Sequence, residues 1–270
     1  MIEFICPKCK NSLFKTDNSL KCPDGHCYDI SRKGTVNLLL SNKSSHGDDK
    51  LMVKARKTFL DKGYYLPLLE ELNKAVDEYS KSDYTIVDCG CGECWYTAGI
   101  YEYLTGKNKA IDMIGIDVSK EAINAGASRL RKLKLAVATV FDIPLADNSA
   151  DMVISLFAPF SRTEYLRILK EKGIYITAFP LENHLYELKE AVYDNPYRNE
   201  VADMEVEGFT LLKSIDVHRK INICTNEDIL ALFSMTPYYY KTSEKDRNKL
   251  NSLSSLTTTI HFRVACYRKN

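Results

Sequence analysis

Residues 86–93 constrain the fold of this chain more than any other stretch. An apolar, β-branched run that ends at Asp88 passes into a turn that contains Gly90 and Gly92, and residues 95–103 then have the composition of a helix. The two glycines allow the backbone to turn sharply and allow a ligand to approach without meeting a side chain. A strand, a glycine turn and a helix in this order are typical of the nucleotide-binding unit of a parallel α/β sheet.

An acid at the end of the next apolar run indicates the class of ligand. Asp117 follows residues 113–116, and a carboxylate there can accept hydrogen bonds from both hydroxyls of a ribose. A dinucleotide is disfavoured because the third glycine of its G-x-G-x-x-G fingerprint would fall at Trp95, and because Asp88 would repel a pyrophosphate. Asp88 suits a ligand with a positive amino group. S-adenosylmethionine carries such a group together with a sulfonium and a ribose, so it is the predicted cofactor.

A third acid, Asp142, follows the apolar run 135–140. Just past a third parallel strand, a carboxylate can accept a hydrogen bond from an adenine amino group. Asp142 stands two residues before Pro144 and could equally be a turn residue. Because it is the third acid in the expected order, we interpret it as a cofactor contact.

The N-terminus contains two pairs of potential metal ligands. Cys6 and Cys9 form a C-x2-C knuckle, and Cys22 follows after twelve residues with His26 and Cys27 behind it. Such pairs complete a tetrahedral zinc site, and metal binding would supply the folding free energy of a segment too short to bury a core. Either His26 or Cys27 could be the fourth ligand. We expect His26, because Cys27 begins an apolar alternation. A four-ligand site has no open position, so its role would be structural.

Composition sets the broader class of protein. The chain has 270 residues, 45% of them hydrophobic, which suits one large domain and a small one. Nine cysteines without an evident secretory signal favour metal ligands and buried thiols over disulfides, and a cytoplasmic location is expected. No apolar run approaches the roughly 18 residues of a membrane span.

Charge is unevenly distributed along the chain. Residues 1–57 contain eleven Lys/Arg against six Asp/Glu, whereas residues 58–270 contain twenty-six against thirty. This asymmetry predicts that the N-terminal part meets a polyanion. A solubilising surface is the alternative explanation.

From residue 85 onward the pattern alternates between strand and helix, which predicts a doubly wound, Rossmann-like α/β sheet. Strands are expected near residues 85–89, 113–117, 136–141, 152–157, 174–179, 209–219 and 258–268, and helices near residues 51–60, 68–79, 95–104, 120–132, 163–170, 184–193 and 227–233. Residues 41–50 are polar and predict a linker or mobile loop. We expect a zinc-binding module in residues 1–40, a linker and helices in residues 41–80, and a cofactor-binding domain in residues 81–270.

Several motifs resemble those of the S-adenosylmethionine-dependent methyltransferases that modify guanine N1 in large-subunit ribosomal RNA. They include Cys6-Pro7-x-Cys9 with Cys22-Pro23-x-x-His26, Ala55-Arg56-x-x-Phe59-Leu60-Asp61-x-Gly63-x-Tyr65, Asp88-x-Gly90-Cys91-Gly92-Glu93-x-x-Tyr96-Thr97, Gly115-x-Asp117, and Thr177-Ala178-x-Pro180 with His184-Leu185. The matches extend over nearly the whole chain. The zinc motif joined to Phe-Leu-Asp-x-Gly-x-Tyr is far more specific than the cofactor turn.

The resemblance implies a class I methyltransferase fold, S-adenosylmethionine as cofactor and one structural zinc in a module that helps to recognise RNA. It implies zinc ligands and further cofactor contacts, namely Cys6, Cys9, Cys22 and His26 for the metal and Tyr65, Tyr96, Thr97 and His184 for the cofactor. The implied reaction is methyl transfer to guanine N1 in a hairpin loop of 23S ribosomal RNA, and a homodimer paired through the N-terminal region is a further possibility. One departure is Cys94, where the family usually has glycine; a side chain there could crowd the helix start near the methionine moiety.

Two other functions compete with this interpretation. A small-molecule methyltransferase is disfavoured by the zinc motif and the basic N-terminal part. An RNA-binding ribosome-assembly factor with a degenerate cofactor site is favoured by Cys94 alone.

The chemistry requires an accessible base, because guanine N1 lies within the Watson–Crick edge and must be unpaired or flipped. Phe157 and Phe160 bracket the end of the fourth strand of the α/β sheet, where a target base could stack. Phe157 could equally be a core residue. His184 could remove the N1 proton, but a cofactor contact is the better interpretation, so no catalytic residue is assigned.

Overall fold

A central eight-stranded sheet organises the chain, which a computed structural model describes over residues 3–40, 47–201 and 203–270. Most of the expected linker, residues 41–46, lies outside the described residues. In chain order the strands are β1 (Phe14–Thr16), β2 (Ser19–Lys21), β3 (Cys27–Asp29), β4 (Val36–Asn37), β5 (Tyr84–Cys89), β6 (Ile111–Asp117), β7 (Lys134–Val137), β8 (Ala150–Leu156), β9 (Leu169–Pro180), β10 (Phe209–Ile223) and β11 (Leu256–Lys269).

The strand order of the large sheet is β10-β11-β9-β8-β5-β6-β7-β4. The strands from β9 to β4 run parallel, and β11 and β10 extend the sheet in antiparallel fashion. From β5 the chain moves outward to β6 and β7, then returns to β8 on the other side of β5. Ligands bind at such a reversal of strand order, outside the carboxyl ends of the strands. The predicted doubly wound sheet is confirmed.

Helices cover both faces of the sheet. They are α1 (Lys50–Asp61), α2 (Leu66–Tyr79), α3 (Trp95–Gly106), α4 (Lys120–Arg129), α5 (Arg162–Ile168), α6 (Tyr186–Val192), α7 (Asn226–Ser234) and α8 (Glu244–Asn248). Side-chain caps fix the starts of α1 and α4, because Asp49 accepts from the N–H of Met52 and Ser119 accepts from that of Ala122. The bounds of α1 to α7 agree with the expected ones within three residues.

Alternation along the strands divides the core into two layers. Ile86 and Met113 belong to the layer beneath α1, α2, α3 and α4. Val87 and Ile114 face the opposite layer, which contains α5 and also Cys6 of the N-terminal module. The N-terminal module therefore packs on the face of the sheet that α5 covers.

The N-terminal module is joined to the sheet by backbone and side-chain contacts. Strands β1, β2 and β3 form a small antiparallel sheet, and β4 pairs with β7 at the edge of the large one. The N–H of Ile5 donates to the carbonyl of Pro144 at 2.9 Å, and Lys33 Nζ donates to Ser128 Oγ of α4 at 2.7 Å. These contacts fix the module against β7, α4 and the turn at Pro144.

Two differences from the expected strands bear on the site. Strand β7 ends at Val137, earlier than the expected residue 141, so Asp142 belongs to a turn five residues beyond the strand. Strand β4 was not predicted, because two residues are too few to produce an alternating pattern. Within the described residues, no helix is long and apolar enough to cross a membrane.

Candidate functional site

The turn after β5 requires glycine at its first position. Gly90 has a φ of +84°, and a Cβ built on it would lie 2.3 Å from the Cβ of Ala158. The N–H groups of Gly90 and Cys91 both donate to the carbonyl of Ile116, at 2.8 and 3.0 Å. The turn is thereby held against the end of β6, and its backbone lies close to Ala158.

Asp88 is a buried carboxylate behind this turn, 2% exposed. Its Oδ2 accepts a hydrogen bond from Thr97 Oγ1 at 2.6 Å, and its Oδ1 has no partner among the described residues. Burial raises the pKa of Asp88 to about 7, the Thr97 hydrogen bond lowers it, and the charge of Asp117 raises it. An unpaired buried carboxylate oxygen is costly. The arrangement fits a ligand with a positively charged amino group, as S-adenosylmethionine has.

Asp117, at the end of β6, connects the glycine turn to α4. Its Oδ2 accepts from the N–H of Gly92 at 2.9 Å and its Oδ1 accepts from that of Ser119 at 2.8 Å. Burial raises the pKa of Asp117, against the lowering effect of these two hydrogen bonds. Each carboxylate oxygen keeps a second lone pair, which leaves Asp117 able to accept from ribose hydroxyls.

Five rings that we call the aromatic wall adjoin the site: Tyr65, Tyr96, Phe157, His184 and Phe262. Ring centroids lie 4.1 Å apart for His184 and Phe262, 5.2 Å for Tyr65 and Phe262, 5.4 Å for Phe157 and Phe262, and 6.3 Å for Tyr96 and Phe157. The hydroxyl of Tyr96 is buried and, within the part of the chain described, has no hydrogen-bond partner. That hydroxyl is a second polar group that a ligand could satisfy.

Phe157 is the exposed member of the aromatic wall. Its side chain is 51% exposed and its φ is +60°, a backbone conformation that is unusual for a bulky residue. The core interpretation of Phe157 is therefore wrong. An exposed aromatic ring on a residue with positive φ at the end of a strand makes Phe157 a candidate for a functional role.

His184 is buried and neutral. Its Nδ1 accepts from the backbone N–H of His261 at 3.3 Å, so its proton resides on Nε2. Burial lowers the pKa of His184 to about 3, with smaller contributions from Lys189 and His261. The imidazole is thus arranged as a hydrogen-bond donor at Nε2 and not as a base.

Asp142 lies apart from the other predicted acids. It is exposed and forms an ion pair with Lys10 of the N-terminal module, with 2.5 Å between Nζ and Oδ1. Together with Thr139 and the leucines of residues 38–40, it lines a cavity of about 170 Å³. The structure therefore brings Asp88, Thr97 and Asp117 together and leaves Asp142 at the boundary with the N-terminal module.

Four side chains of the N-terminal module form a metal-ligand cluster. The ligand atoms of Cys6, Cys9, Cys22 and His26 all lie within 4.8 Å of one another. Cys22 Sγ is 3.3 Å from His26 Nδ1 and 3.5 Å from Cys9 Sγ, close to the edges of a tetrahedron with zinc–ligand bonds of about 2.0–2.3 Å. Cys27 is exposed and outside the cluster. The four residues fit one structural zinc ion.

The side chain of Cys94 packs into the fold beside α4. Cys94 is fully buried and adopts a left-handed conformation, with φ of +63°. Its Sγ points at Gly126 of α4, where a Cβ would lie 2.4 Å from it, and it is 3.7 Å from Cys91 Sγ. The missing side chain of Gly126 accommodates the thiol between α3 and α4.

The sequence did not indicate three ion pairs around the glycine turn. Arg129 Nε donates to the buried carboxylate of Glu93 at 2.5 Å, and Arg129 Nη1 lies 2.7 Å from Asp61. Arg56 of α1 pairs with Asp48 close to Gly92. Arg129 is distant in sequence from both Glu93 and Asp61, and Asp48 is eight residues before Arg56. Charged side chains commonly lie on a surface, so spacing alone gave no signal.

Comparison with known proteins shows which families the chain resembles. Residues 80–216 match the family model "Methyltransferase domain", and residues 4–46 match "RlmA, N-terminal", a zinc ribbon. The chain is 34% identical to the Streptomyces fradiae protein "23S rRNA (guanine(748)-N(1))-methyltransferase" over 69% of this chain and 66% of that one. It is 30% identical to the Bacillus subtilis protein "Putative 23S rRNA (guanine-N(1)-)-methyltransferase YxjB" over 95% of this chain and 94% of that one.

A solved structure shares the fold. The Bacillus halodurans C-125 protein described as "a putative methyltransferase (BH2331)" aligns with a TM-score of 0.50 and 13% identity, over 74% of this chain and 99% of that one. At this identity the likeness shows the fold alone. The family itself is shown by the two family models and the sequence relatives. The chain belongs to the family of S-adenosylmethionine-dependent 23S rRNA guanine-N1 methyltransferases that carry an RlmA-type N-terminal zinc ribbon.

Proposed function

We propose that this protein transfers a methyl group from S-adenosylmethionine to N1 of a guanine in a hairpin loop of 23S ribosomal RNA. The observation that carries the proposal is the unpaired Oδ1 of Asp88 behind the glycine turn, in a chain whose zinc module packs on the same sheet. When bound, the cofactor supplies an activated methyl group on a sulfonium. The residues of the protein bind that cofactor, orient the base and exclude water.

In this proposal Asp88 pairs with the amino group of the cofactor. Thr97 acts through Asp88, because its hydroxyl is already donated to Oδ2 of that carboxylate. Asp117 accepts from the ribose hydroxyls while it holds the backbone of Gly92. Gly90 keeps the turn free of side chains, since no Cβ fits beside Ala158.

Three members of the aromatic wall, together with Asp142, complete the proposed cofactor site. Tyr65, Tyr96 and His184 line the methionine side, with the Tyr96 hydroxyl and His184 Nε2 as donors. Asp142 receives the adenine amino group beside the cavity of about 170 Å³ that it lines with residues 38–40. Lys10 already pairs with Asp142, so adenine binding there is linked to the zinc module.

Phe157 provides the surface on which the target guanine stacks. Its exposed ring borders Tyr96 and Phe262 of the aromatic wall, and stacking on aromatic rings is the usual way in which proteins hold an unpaired base. Positioning of the base and the activated methyl group supplies much of the rate. His184 is not the base that removes the N1 proton, because its Nδ1 is occupied by the His261 backbone.

The zinc module, residues 1–40 in this proposal, contributes to RNA binding beside the cofactor domain of residues 81–270, with residues 41–80 between them. Its lysines are the natural partners of phosphate groups. Two copies pairing through the N-terminal region, and a cytoplasmic location where ribosomal RNA is modified, belong to the same proposal. A decayed cofactor site is disfavoured because Cys94 is accommodated by Gly126.

Methyl transfer to purified, unmodified 23S ribosomal RNA tests the proposal. An N1-methyl group blocks the Watson–Crick edge, so reverse transcription should stop one nucleotide before the modified guanine. A hairpin in which adenine replaces that guanine is the matched control and should accept no methyl group. Methylation of small molecules without RNA methylation, or a methyl group at another atom of the base, would overturn the proposal.

A further inference from the structure

An ion pair between Arg56 and Asp48 lies over the glycine turn. Arg56 comes from α1, and its Nη1 is 3.5 Å from the position that a Cβ on Gly92 would occupy. Asp48 stands just before α1, and its backbone carbonyl accepts from Ser119 Oγ at 2.7 Å. Arg56 and Asp48 are partly exposed, with side chains 28% and 20% accessible. The pair is thus next to the cofactor turn and accessible from solvent.

The charges of the cofactor suit a cation at this place. The methionine end of S-adenosylmethionine carries an ammonium group and a carboxylate. The proposed site supplies Asp88 for the ammonium group, but none of the residues assigned to the cofactor above is a positive partner for the carboxylate. Arg129 lies behind the turn and is held by both Glu93 and Asp61. Arg56 is better placed, because its guanidinium faces the turn itself.

Two further observations concern Tyr96 and Asp117, on either side of the turn. The Tyr96 hydroxyl is buried and, among the residues described, donates to no acceptor. Burial raises the pKa of both Tyr96 and Asp117, and the positive charge of Arg56 lowers each of them. The positive charge of Arg56 therefore acts on both Tyr96 and Asp117, which lie on either side of the turn.

We propose that Arg56, together with the Tyr96 hydroxyl, binds the carboxylate of the methionine moiety, and that Arg56 exchanges Asp48 for that carboxylate when the cofactor binds. The inference rests on the proposed function only in the identity of the cofactor. Guanidinium groups bind carboxylates through paired N–H donors, so the exchange replaces one carboxylate partner by another. Asp48 becomes a competitor of the cofactor, and Arg56 a residue that selects for ligands with a carboxylate.

The first test compares two ligands that differ in that carboxylate. Affinities of wild-type protein and Arg56→Gln are measured by calorimetry for S-adenosylhomocysteine and for decarboxylated S-adenosylhomocysteine, which keeps the amino group and the thioether. Loss of a charge-assisted pair should weaken S-adenosylhomocysteine binding by about 10- to 100-fold. Binding of the decarboxylated ligand should stay within about twofold of wild type. Lys54→Gln, an exposed position on the same helix, is the matched control and should change neither affinity.

The second test removes the competitor. Asp48→Asn should strengthen binding of S-adenosylhomocysteine several-fold and leave the decarboxylated ligand unaffected. The cap of α1 is retained, since it comes from Asp49. In the double variant of Arg56→Gln with Asp48→Asn, the gain should disappear. Thermal unfolding of each variant establishes that it is folded.

Each outcome supports or overturns the inference. Equal losses for both ligands in Arg56→Gln would show a structural role for Arg56 and overturn it, as would unchanged binding of S-adenosylhomocysteine. Weaker binding in Asp48→Asn would also contradict it. If wild-type protein bound neither ligand, the proposed function would fail together with the inference. If it bound both and Arg56→Gln behaved as wild type, the inference alone would fail.

Discussion

Thr97 Oγ1 donates to Asp88 Oδ2 at 2.6 Å inside the core, while the second oxygen of Asp88 is left for a ligand. The hydrogen bond fixes the orientation of the carboxylate and favours its ionised form. Burial acts in the opposite direction and raises the pKa of Asp88 to about 7. Cofactor binding and protein stability therefore place opposite demands on this residue.

Replacing Asp88 by Asn should stabilise the protein without cofactor at pH 8 and greatly weaken cofactor binding. Asp88 has a higher pKa in the folded protein than in the unfolded chain, so its stabilising contribution is complete below about pH 4 and is lost as the pH rises through about 7. At pH 8 the Asn variant avoids a buried charge and should gain about 1 kcal/mol or more. Urea unfolding at pH 5 and pH 8 measures the difference, which should be larger at pH 8. Equal differences at the two pH values would contradict the assignment.

Replacing Thr97 by Val should make cofactor binding depend more steeply on pH. Without the hydroxyl, the pKa of Asp88 rises further, and less of the carboxylate is ionised at pH 7. The loss of affinity for S-adenosylhomocysteine relative to wild type should be about tenfold at pH 7 and smaller at pH 9, where Asp88 is ionised in both proteins. Thr97→Ser retains the hydroxyl and is the control. A loss that does not change with pH would indicate a packing defect instead.

Replacing Cys9 by Ser should release zinc and weaken RNA binding more than cofactor binding. Cys9 belongs to the four-residue cluster, and a module this small depends on its metal for folding. Because Cys6 and Cys22 pack into the same layer as Val87, we also expect a lower unfolding temperature. Zinc content, RNA affinity and calorimetric binding of S-adenosylhomocysteine are measured on one sample. Cys27→Ser, at an exposed position outside the cluster, should leave all three unchanged.

The sequence was sufficient to predict the local parts of this site. The strand–turn–helix around Gly90 and the C-x2-C knuckle are encoded by residues that are close in the chain. Residue type alone restricts such segments to few conformations, so a single sequence predicts them.

Contacts between distant segments could not be predicted in the same way. The edge strand β4 is two residues long, and its pairing with β7 depends on how the N-terminal module packs. Asp142 has the spacing of a cofactor contact, yet its distance from β7 and its pairing with Lys10 are set by the fold. The left-handed φ of Phe157 could not be predicted, because the apolar residues before it are those of an ordinary core strand.

Replacing Phe157 by Ala should impair methylation of RNA and spare cofactor binding. The ring is half-exposed, so its removal should change stability by less than about 1 kcal/mol. Loss of a stacking surface should lower kcat/KM for RNA by about 10- to 100-fold. Phe157→Leu keeps apolar bulk without a π-face and should resemble the Ala variant, whereas Phe157→Tyr should retain most activity. Phe160→Ala is a contrasting control, because that ring packs on buried Tyr165 and Tyr175 and its loss should lower the unfolding temperature. If Phe157→Leu were as active as wild type, apolar packing and not stacking would explain the exposed ring.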